Sequence, residues 1–255
     1  MTVVATVGTT HPLAFAGLTF AMLALADDAA RPVAVVAGVT AQDASNLTAR
    51  IAIEPPAIRA QFDALHDAGV EAFHIGALLS ADSVHAVADA LAAFPGVPVV
   101  VDPVLTTTPG AVLADAPTRA ALRDVLVPRA TLVTPNLDEA TALLGRPVTD
   151  LSSMHDAAAS FLALGVRAVL IKGGHLAGDP VDVLADERGV RDLPANRIEK
   201  QLRGTGDLLA VTIATCLARG AALPEAVEHA RRRVHQAIAR GVPFAGTRVA
   251  TFTPD

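Results

Sequence analysis

Short runs of Val, Ile and Leu recur along the chain, and nearly every one is followed by a longer stretch with helical spacing of its apolar residues. The runs cover 3–7, 33–37, 70–75, 97–101, 131–133, 168–171 and 181–184. Several, such as Val99-Val100-Val101 and Val169-Leu170-Ile171, are continuously apolar, as strands covered on both faces must be. Helical patterns fill 18–26, 56–68, 82–93, 118–127, 137–144 and 155–164, and two more, 207–219 and 224–240, follow near the end. Gly69, Gly145, Gly165 and Gly220 stand where helices stop, and Pro56 suits a first helical turn. Alternation of this kind predicts an α/β fold: a doubly wound, mostly parallel central sheet with helices on both faces. No repeat, low-complexity tract or linker interrupts it, so one domain over 1–255 is expected. In such sheets ligands bind beyond the carboxyl ends of the strands.

Charge and composition narrow the partners. Lys and Arg number 20 against 26 Asp and Glu, a formal charge of −6. Nucleic-acid affinity comes largely from cations that neutralise phosphates, so no nucleic-acid partner is expected. Trp and Tyr are absent, which also removes the usual base-stacking platform. The cleanest apolar run, 16–26, stops at Asp27 and Asp28, short of the ~20 residues that cross a bilayer. No basic stretch opens the chain, so no signal peptide and no membrane partner are expected. Cys216 is the only cysteine, which excludes an internal disulfide and a CxxC metal site and fits a reducing, cytoplasmic setting. It falls within an apolar helical run and reads as a small core residue. Arg231-Arg232-Arg233 reads as a solvated helix face, and the histidines show no metal-ligand spacing and read mostly as surface residues.

Four segments carry residue types suited to phosphate chemistry. Arg203-Gly204-Thr205-Gly206-Asp207 runs directly into an apolar helix. Glycines there let the backbone approach a ligand, and the first helical amides point outward with the positive dipole end behind them. Asp207 stands where a carboxylate can take a proton from an attacking hydroxyl, although Asp in a first helical turn is also simply common. No Walker-type phosphate loop occurs. Asn136 and Glu139, in Thr134-Pro135-Asn136-Leu137-Asp138-Glu139, share one face of a starting helix. They read either as holders of the water shell of Mg²⁺ or as the two halves of a capping box. Asp102 ends the run Val99-Val100-Val101 and reads as a metal or phosphate partner or as a turn Asp before Pro103. Lys172, followed by Gly173 and Gly174, reads as a point charge for phosphate or as a solvated lysine before a turn.

In order, VDPV, TPNLDEA, LIKGGH and RGTGD resemble the ribokinase-like superfamily of small-molecule kinases. TPNLDEA and KGGH are similar to the hydroxymethylpyrimidine and phosphomethylpyrimidine kinases of its vitamin branch, with pyridoxal kinases nearby. The resemblance spans roughly residues 3–240. It implies an ATP- and Mg²⁺-dependent cytoplasmic phosphotransferase acting on the hydroxymethyl group of a small heteroaromatic vitamin precursor, with thiamine biosynthesis or salvage as the setting. It implies Asp207 as catalytic base, Gly204, Thr205 and Gly206 as anion hole, and Asn136, Lys172 and Gly173 beside the nucleotide. It further implies Asp102 and Glu139 around Mg²⁺, and Gly8, Gln42 and Val104 against the substrate. Homodimers are common among such kinases. Hydroxymethylpyrimidine kinases usually open with a Gly-rich acidic segment after the first strand. Here that segment is Gly8-Thr9-Thr10-His11-Pro12-Leu13-Ala14-Phe15-Ala16-Gly17, without the acid. They also commonly carry Cys at the place of Asp207, where Asp is the pyridoxal-kinase-like choice. Hydroxymethylpyrimidine or its monophosphate is therefore the first expectation and pyridoxal or pyridoxine the second. A regulatory module that binds a nucleotide or vitamin without turnover is the reading from another class.

Overall fold

The computed structural model describes residues 1–252. The chain begins with β1 (Val3–Thr10), α1 (Gly17–Asp27), β2 (Arg31–Gln42), β3 (Leu47–Ala52), α2 (Pro55–Asp63) and β4 (Ala72–Ile75). It continues through α3 (Ala81–Ala90), β5 (Val99–Val101), α4 (Ala116–Ala121), β6 (Leu132–Val133), α5 (Leu137–Leu144), α6 (Leu151–Ala163) and β7 (Ala168–Ile171). It closes with β8 (Val181–Asp186), β9 (Gly189–Pro194), α7 (Thr205–Ala218), α8 (Leu223–Arg240), β10 (Val242–Phe244) and β11 (Thr247–Val249).

Nine strands form one sheet in the order β3-β2-β1-β4-β5-β6-β7-β8-β9. The six from β2 to β7 run parallel, and β3, β8 and β9 pair antiparallel at the edges. Successive side chains of a strand face opposite layers. Ala5, Val7, Phe73, Ile75, Val99, Val101, Val169 and Ile171 therefore pack against α2, α3 and α6, through Ile58, Phe62, Val84, Val87, Met154 and Phe161. Val4, Ala72, Val100, Leu132 and Leu170 pack against α1, α7 and α8. α7 buries nine consecutive residues, Asp207 to Thr215, because α1 and α8 cover the flanks that the sheet leaves open. Among the described residues no helix is long and apolar enough to cross a membrane.

The predicted runs all correspond to strands or helices, with four instructive departures. β3 and β9 carry mostly exposed residues and lack a buried apolar stripe, so the alternation did not reveal them. The helix predicted over 56–68 ends at Asp63, and residues 64–69 continue as turns. The helix predicted over 118–127 changes pitch, passing from α4 into a π-turn at Leu122–Leu126 and a 3₁₀ turn at Val127–Arg129, where Pro128 cannot donate to an α ladder. The arginine triplet is not a uniformly solvated face. Arg231 pairs with Asp182 and the Leu193 carbonyl, and Arg233 clamps Asp27 of α1 at 2.6 Å, while Arg232 remains on the surface beside Glu228.

Candidate active site

Alternation places the charged groups before any tertiary detail is considered. Val100, Leu132 and Leu170 face α7, so two residues further on, at the carboxyl ends of β5, β6 and β7, Asp102, Thr134 and Lys172 face the same side. The ladder carries them there in register: Asp102 donates its N–H to the Ile75 carbonyl, Thr134 to Val101 and Lys172 to Pro135, at 2.8–2.9 Å. Lys172 Nζ then donates to Asp102 Oδ1 at 2.7 Å, and Thr134 Oγ1 donates to the same oxygen at 3.0 Å. Glu139 Oε2 lies 3.8 Å from the ammonium. Burial pushes the Glu139 carboxyl up to about 7 despite Lys172. Burial alone would depress the lysine, but Asp102 and Glu139 carry it above its ordinary range.

The start of α7 presses on this cluster. A Cβ on Gly206 would lie 2.8 Å from Asp102 Oδ2 and 3.3 Å from Lys172 Nζ. Gly204 has φ +75°, and a Cβ there would stand 2.5 Å from the Phe15 carbonyl. The turn thus needs glycine both for its conformation and for its approach to the 11–17 loop. Thr205, Gly206 and Asp207 open the helix, with amides that no intrahelical carbonyl accepts. Asp207 is buried, and its Oδ2 accepts the Gly17 N–H at 3.1 Å. Its Oδ1 would lie 3.8 Å from a Cβ on Gly76. Burial, reinforced by Asp102, pushes its carboxyl up to about 7 against the opposing pull of Gly17 and Lys172. A base with that value is half-ionised near neutral pH, where proton acceptance is most effective.

Both sequence readings of Asn136 and Glu139 describe the same atoms. Asn136 Oδ1 accepts the Glu139 N–H at 2.8 Å and Glu139 Oε2 accepts the Asn136 N–H at 2.7 Å, a complete capping box. That box also fixes Glu139 beside Lys172. Lys172 is not a solvated point charge, since its side chain is mostly buried between carboxylates. Gly173 has a packing reason of its own: a Cβ would fall 1.9 Å from the Val181 carbonyl. The three predicted substrate positions lie near one small apolar cluster. Gly8 lies against Ala77, Val104 packs on the cluster of Ala77, Leu79 and Leu113, and Gln42 pairs in the β2–β3 hairpin with Leu47, which touches that cluster too. Gln42 Nε2 donates to Thr40 Oγ1 at 2.9 Å.

Sequence reasoning missed two histidines. His74 of β4 is fully buried beneath the site, held through Nδ1 by Thr6 Oγ1 at 3.0 Å, and its Nε2 has no partner among the described residues. His11 is buried against Phe15 and accepts the Leu13 N–H on Nδ1. Burial pushes both down to about 4, so both are neutral at physiological pH. Their pattern in the sequence resembles any isolated histidine; only the position of His74 in a continuously apolar strand signals burial. Below pH 6.5 an unfolded His74 binds a proton that the folded one refuses until about 4, so this residue weakens the fold as pH falls through that window. His74→Phe is therefore expected to gain roughly 2 kcal/mol on the parent protein between pH 7 and pH 5. Urea unfolding of both proteins at the two pH values measures this, and parallel pH dependence of the two would refute it.

Comparison with known proteins agrees with this geometry. The phosphomethylpyrimidine kinase family model matches residues 14–251. The chain is 41% identical over 214 residues to the hydroxymethylpyrimidine/phosphomethylpyrimidine kinase of Streptomyces coelicolor, covering 83% of this chain and 79% of that protein. It is 39% identical to the enzyme of the same name from Rhizobium meliloti, covering 80% and 78%. Among solved structures, phosphomethylpyrimidine kinase from Clostridium difficile 630 superposes with a TM-score of 0.83 at 25% identity, over 93% of this chain and all of that one. An ADP complex of Bacillus subtilis pyridoxal kinase superposes with a TM-score of 0.89 at 26% identity, over 99% and 97%. Sheet order, glycine turn and matched sequence point the same way, and the chain belongs to the phosphomethylpyrimidine kinase family.

Proposed function

We propose that the protein transfers the γ-phosphoryl group of ATP to a small heteroaromatic ring that carries a hydroxymethyl group, hydroxymethylpyrimidine or its monophosphate in the first place. The single observation that carries this is the buried Asp207 carboxylate held by Gly17, beside the Thr205 and Gly206 amides that no intrahelical carbonyl accepts and the Asp102–Lys172 pair against which Gly206 packs. Phosphoryl transfer needs a positioned acceptor, a base and fixed dipoles around the migrating group rather than covalent help from the protein. Asp207 takes the hydroxyl proton. The Thr205 and Gly206 amides receive the equatorial oxygens. Asn136, Lys172 and Gly173 border the nucleotide, and Gly8, Gln42 and Val104 line the ring.

The donor set suits a hydrated Mg²⁺. Among the described residues no three His, Cys, Asp or Glu side chains form a ready metal cage. Mg²⁺ instead keeps several waters and shares one or two carboxylates with substrate phosphates. Asp102 Oδ2, directed at Gly206, and Glu139 are the carboxylate oxygens available for that shell. The ion, when bound with ATP, neutralises phosphate charge.

The overlap with the ADP complex of pyridoxal kinase, together with the loss of the acidic opening segment, supports pyridoxal or pyridoxine as the second reading. ADP release with MgATP and each alcohol in parallel tests both. The expected result is a kcat/KM for hydroxymethylpyrimidine at least about tenfold above that for pyridoxal. A reversed ratio assigns the second reading, and tight ligand binding without ADP release from any alcohol assigns a binding module. A cytoplasmic location and a homodimeric assembly belong to the same proposal.

A further inference from the structure

The loop that leaves β7 behind Lys172 is tied down from two sides. Lys172 donates its N–H toward β6, to the Pro135 carbonyl at 2.8 Å. On the other side, the β7–β8 ladder ends at the Ile171–Val183 pair. Gly173 is buried, and a buried N–H needs an acceptor. It finds one in a side chain rather than in the ladder: Asp182 Oδ1 accepts the Gly173 N–H at 2.9 Å. Asp182 Oδ2 accepts from Arg231 Nε of α8 at 2.9 Å, and both side chains are mostly buried. The arginine answers the charge of the carboxylate and leaves Oδ1 to Gly173.

Further along the loop the anchor is Arg197, from the segment that joins β9 to the glycine turn of α7. Its Nη1 donates to the Gly174 carbonyl at 3.2 Å, its Nη2 to Leu176 at 2.6 Å and its Nε to Gly178 at 2.7 Å, while its main-chain N–H donates to Asp179 Oδ1 at 3.1 Å. One planar fork thus gathers three carbonyls, a geometry that the point charge of a lysine does not reproduce. The loop needs such anchors, because Gly173, Gly174 and Gly178 give its backbone more freedom than other residues would. A loop that is ordered before its ligand arrives spares the complex the entropy of ordering it. We infer that Asp182 and Arg197 are positioning residues for the nucleotide. They hold 173–179 in its bound shape beside Lys172, through the backbone of the loop and not by contact with the phosphates. The inference rests on the kinase reading above, which puts Lys172 and Gly173 at the nucleotide.

The test measures MgADP binding by calorimetry, steady-state ADP release with MgATP and hydroxymethylpyrimidine, and Tm, all on the full chain. Asp182→Ala is expected to weaken MgADP binding at least about tenfold and to raise KM for ATP by a similar factor, with KM for the pyrimidine within about twofold of the parent value. Arg231→Met separates positioning from stability. It breaks the same ion pair and should lower Tm about as much, yet Asp182 Oδ1 stays on Gly173, so MgADP binding should change by less than about threefold. Arg197→Lys, on the exposed surface, keeps the charge and the parent Tm but loses the fork, and should weaken MgADP binding at least about fivefold. Should Asp182→Ala not fold, Arg197→Lys decides the matter. Equal weakening in Asp182→Ala and Arg231→Met, in step with Tm, would mark Asp182 as structural only and overturn the inference, as would parent-like MgADP binding in Asp182→Ala or Arg197→Lys. MgADP binding by the parent without ADP release from any alcohol defeats the kinase reading, and the binding comparison still decides the positioning role. A parent protein that binds no MgADP overturns both.

Discussion

Asp207→Asn is expected to lower kcat by about 10²–10⁴-fold with little change in KM, the range that loss of a positioned general base produces. The amide oxygen of Asn still accepts the Gly17 N–H, so the substrate side of the site keeps its shape. What disappears is the group proposed to take the hydroxyl proton. Because the carboxyl is pushed up to about 7 by burial and by Asp102, kcat of the parent protein should fall about tenfold per pH unit below 7. That acidic limb should be absent from the residual activity of the variant. Stability moves the other way. The folded protein holds a proton on Asp207 that the unfolded chain releases near pH 4, so this residue's contribution to folding is lost as pH rises from about 4 through 7. The variant carries no such loss and should be more stable than the parent at pH 8, by on the order of 3 kcal/mol. Steady-state kinetics from pH 5.5 to 9 and urea unfolding at pH 8 measure both effects. Parent-like turnover in the variant would remove Asp207 from the reaction.

Lys172→Met is expected to damage the fold more than any other single change at the site. Among the described residues the ammonium is the one cation beside Asp102, Glu139 and Asp207, and all three carboxyl groups lie below the protein surface. Removing one partner of a buried ionic cluster costs about 3–5 kcal/mol, because the remaining charge has neither water nor counter-ion. For a chain of this size that corresponds to a fall in Tm of roughly 6–15 °C. Burial already pushes Glu139 up to about 7 with the lysine present, so without it the carboxyls should protonate more readily. The loss should therefore be large at pH 8 and partly restored at pH 5.5, whereas a simple packing defect would be equally harmful at both. Turnover should fall as well, since Asp102 loses one of the two donors that orient it and keeps only Thr134. Calorimetric unfolding at the two pH values separates the electrostatic cause from the steric one.

Asn136 and Glu139 show how far local spacing can be trusted. Their separation of three residues implied the capping box, and the box is complete. Whether Glu139 also serves the site depended on Lys172, which lies 33 positions away and reaches it only because β6 and β7 are neighbours. Arg231 and Arg233 show the opposite outcome. The triplet gave no sign of partners, because Asp182 and Asp27 lie 49 and 206 residues away. β3 was missed since an exposed edge strand has no apolar stripe, and its pairing with β2 is a backbone property.

Buried Val/Ile/Leu runs, helix stops and the glycine turn before α7 are local, and a linear chain displays local physics openly: hydrophobic period, φ preference and unpaired terminal amides are all set within a few residues. From these the layered α/β fold and the glycine turn that carries Asp207 could be read directly. The Gly17 amide on Asp207, the neutral His74 beneath the site and the lysine that, among the described residues, is shared by three carboxyls come from residues 33 to 190 positions apart. Their energies depend on burial and on distance through a low-dielectric interior, quantities that exist only once the sheet has closed.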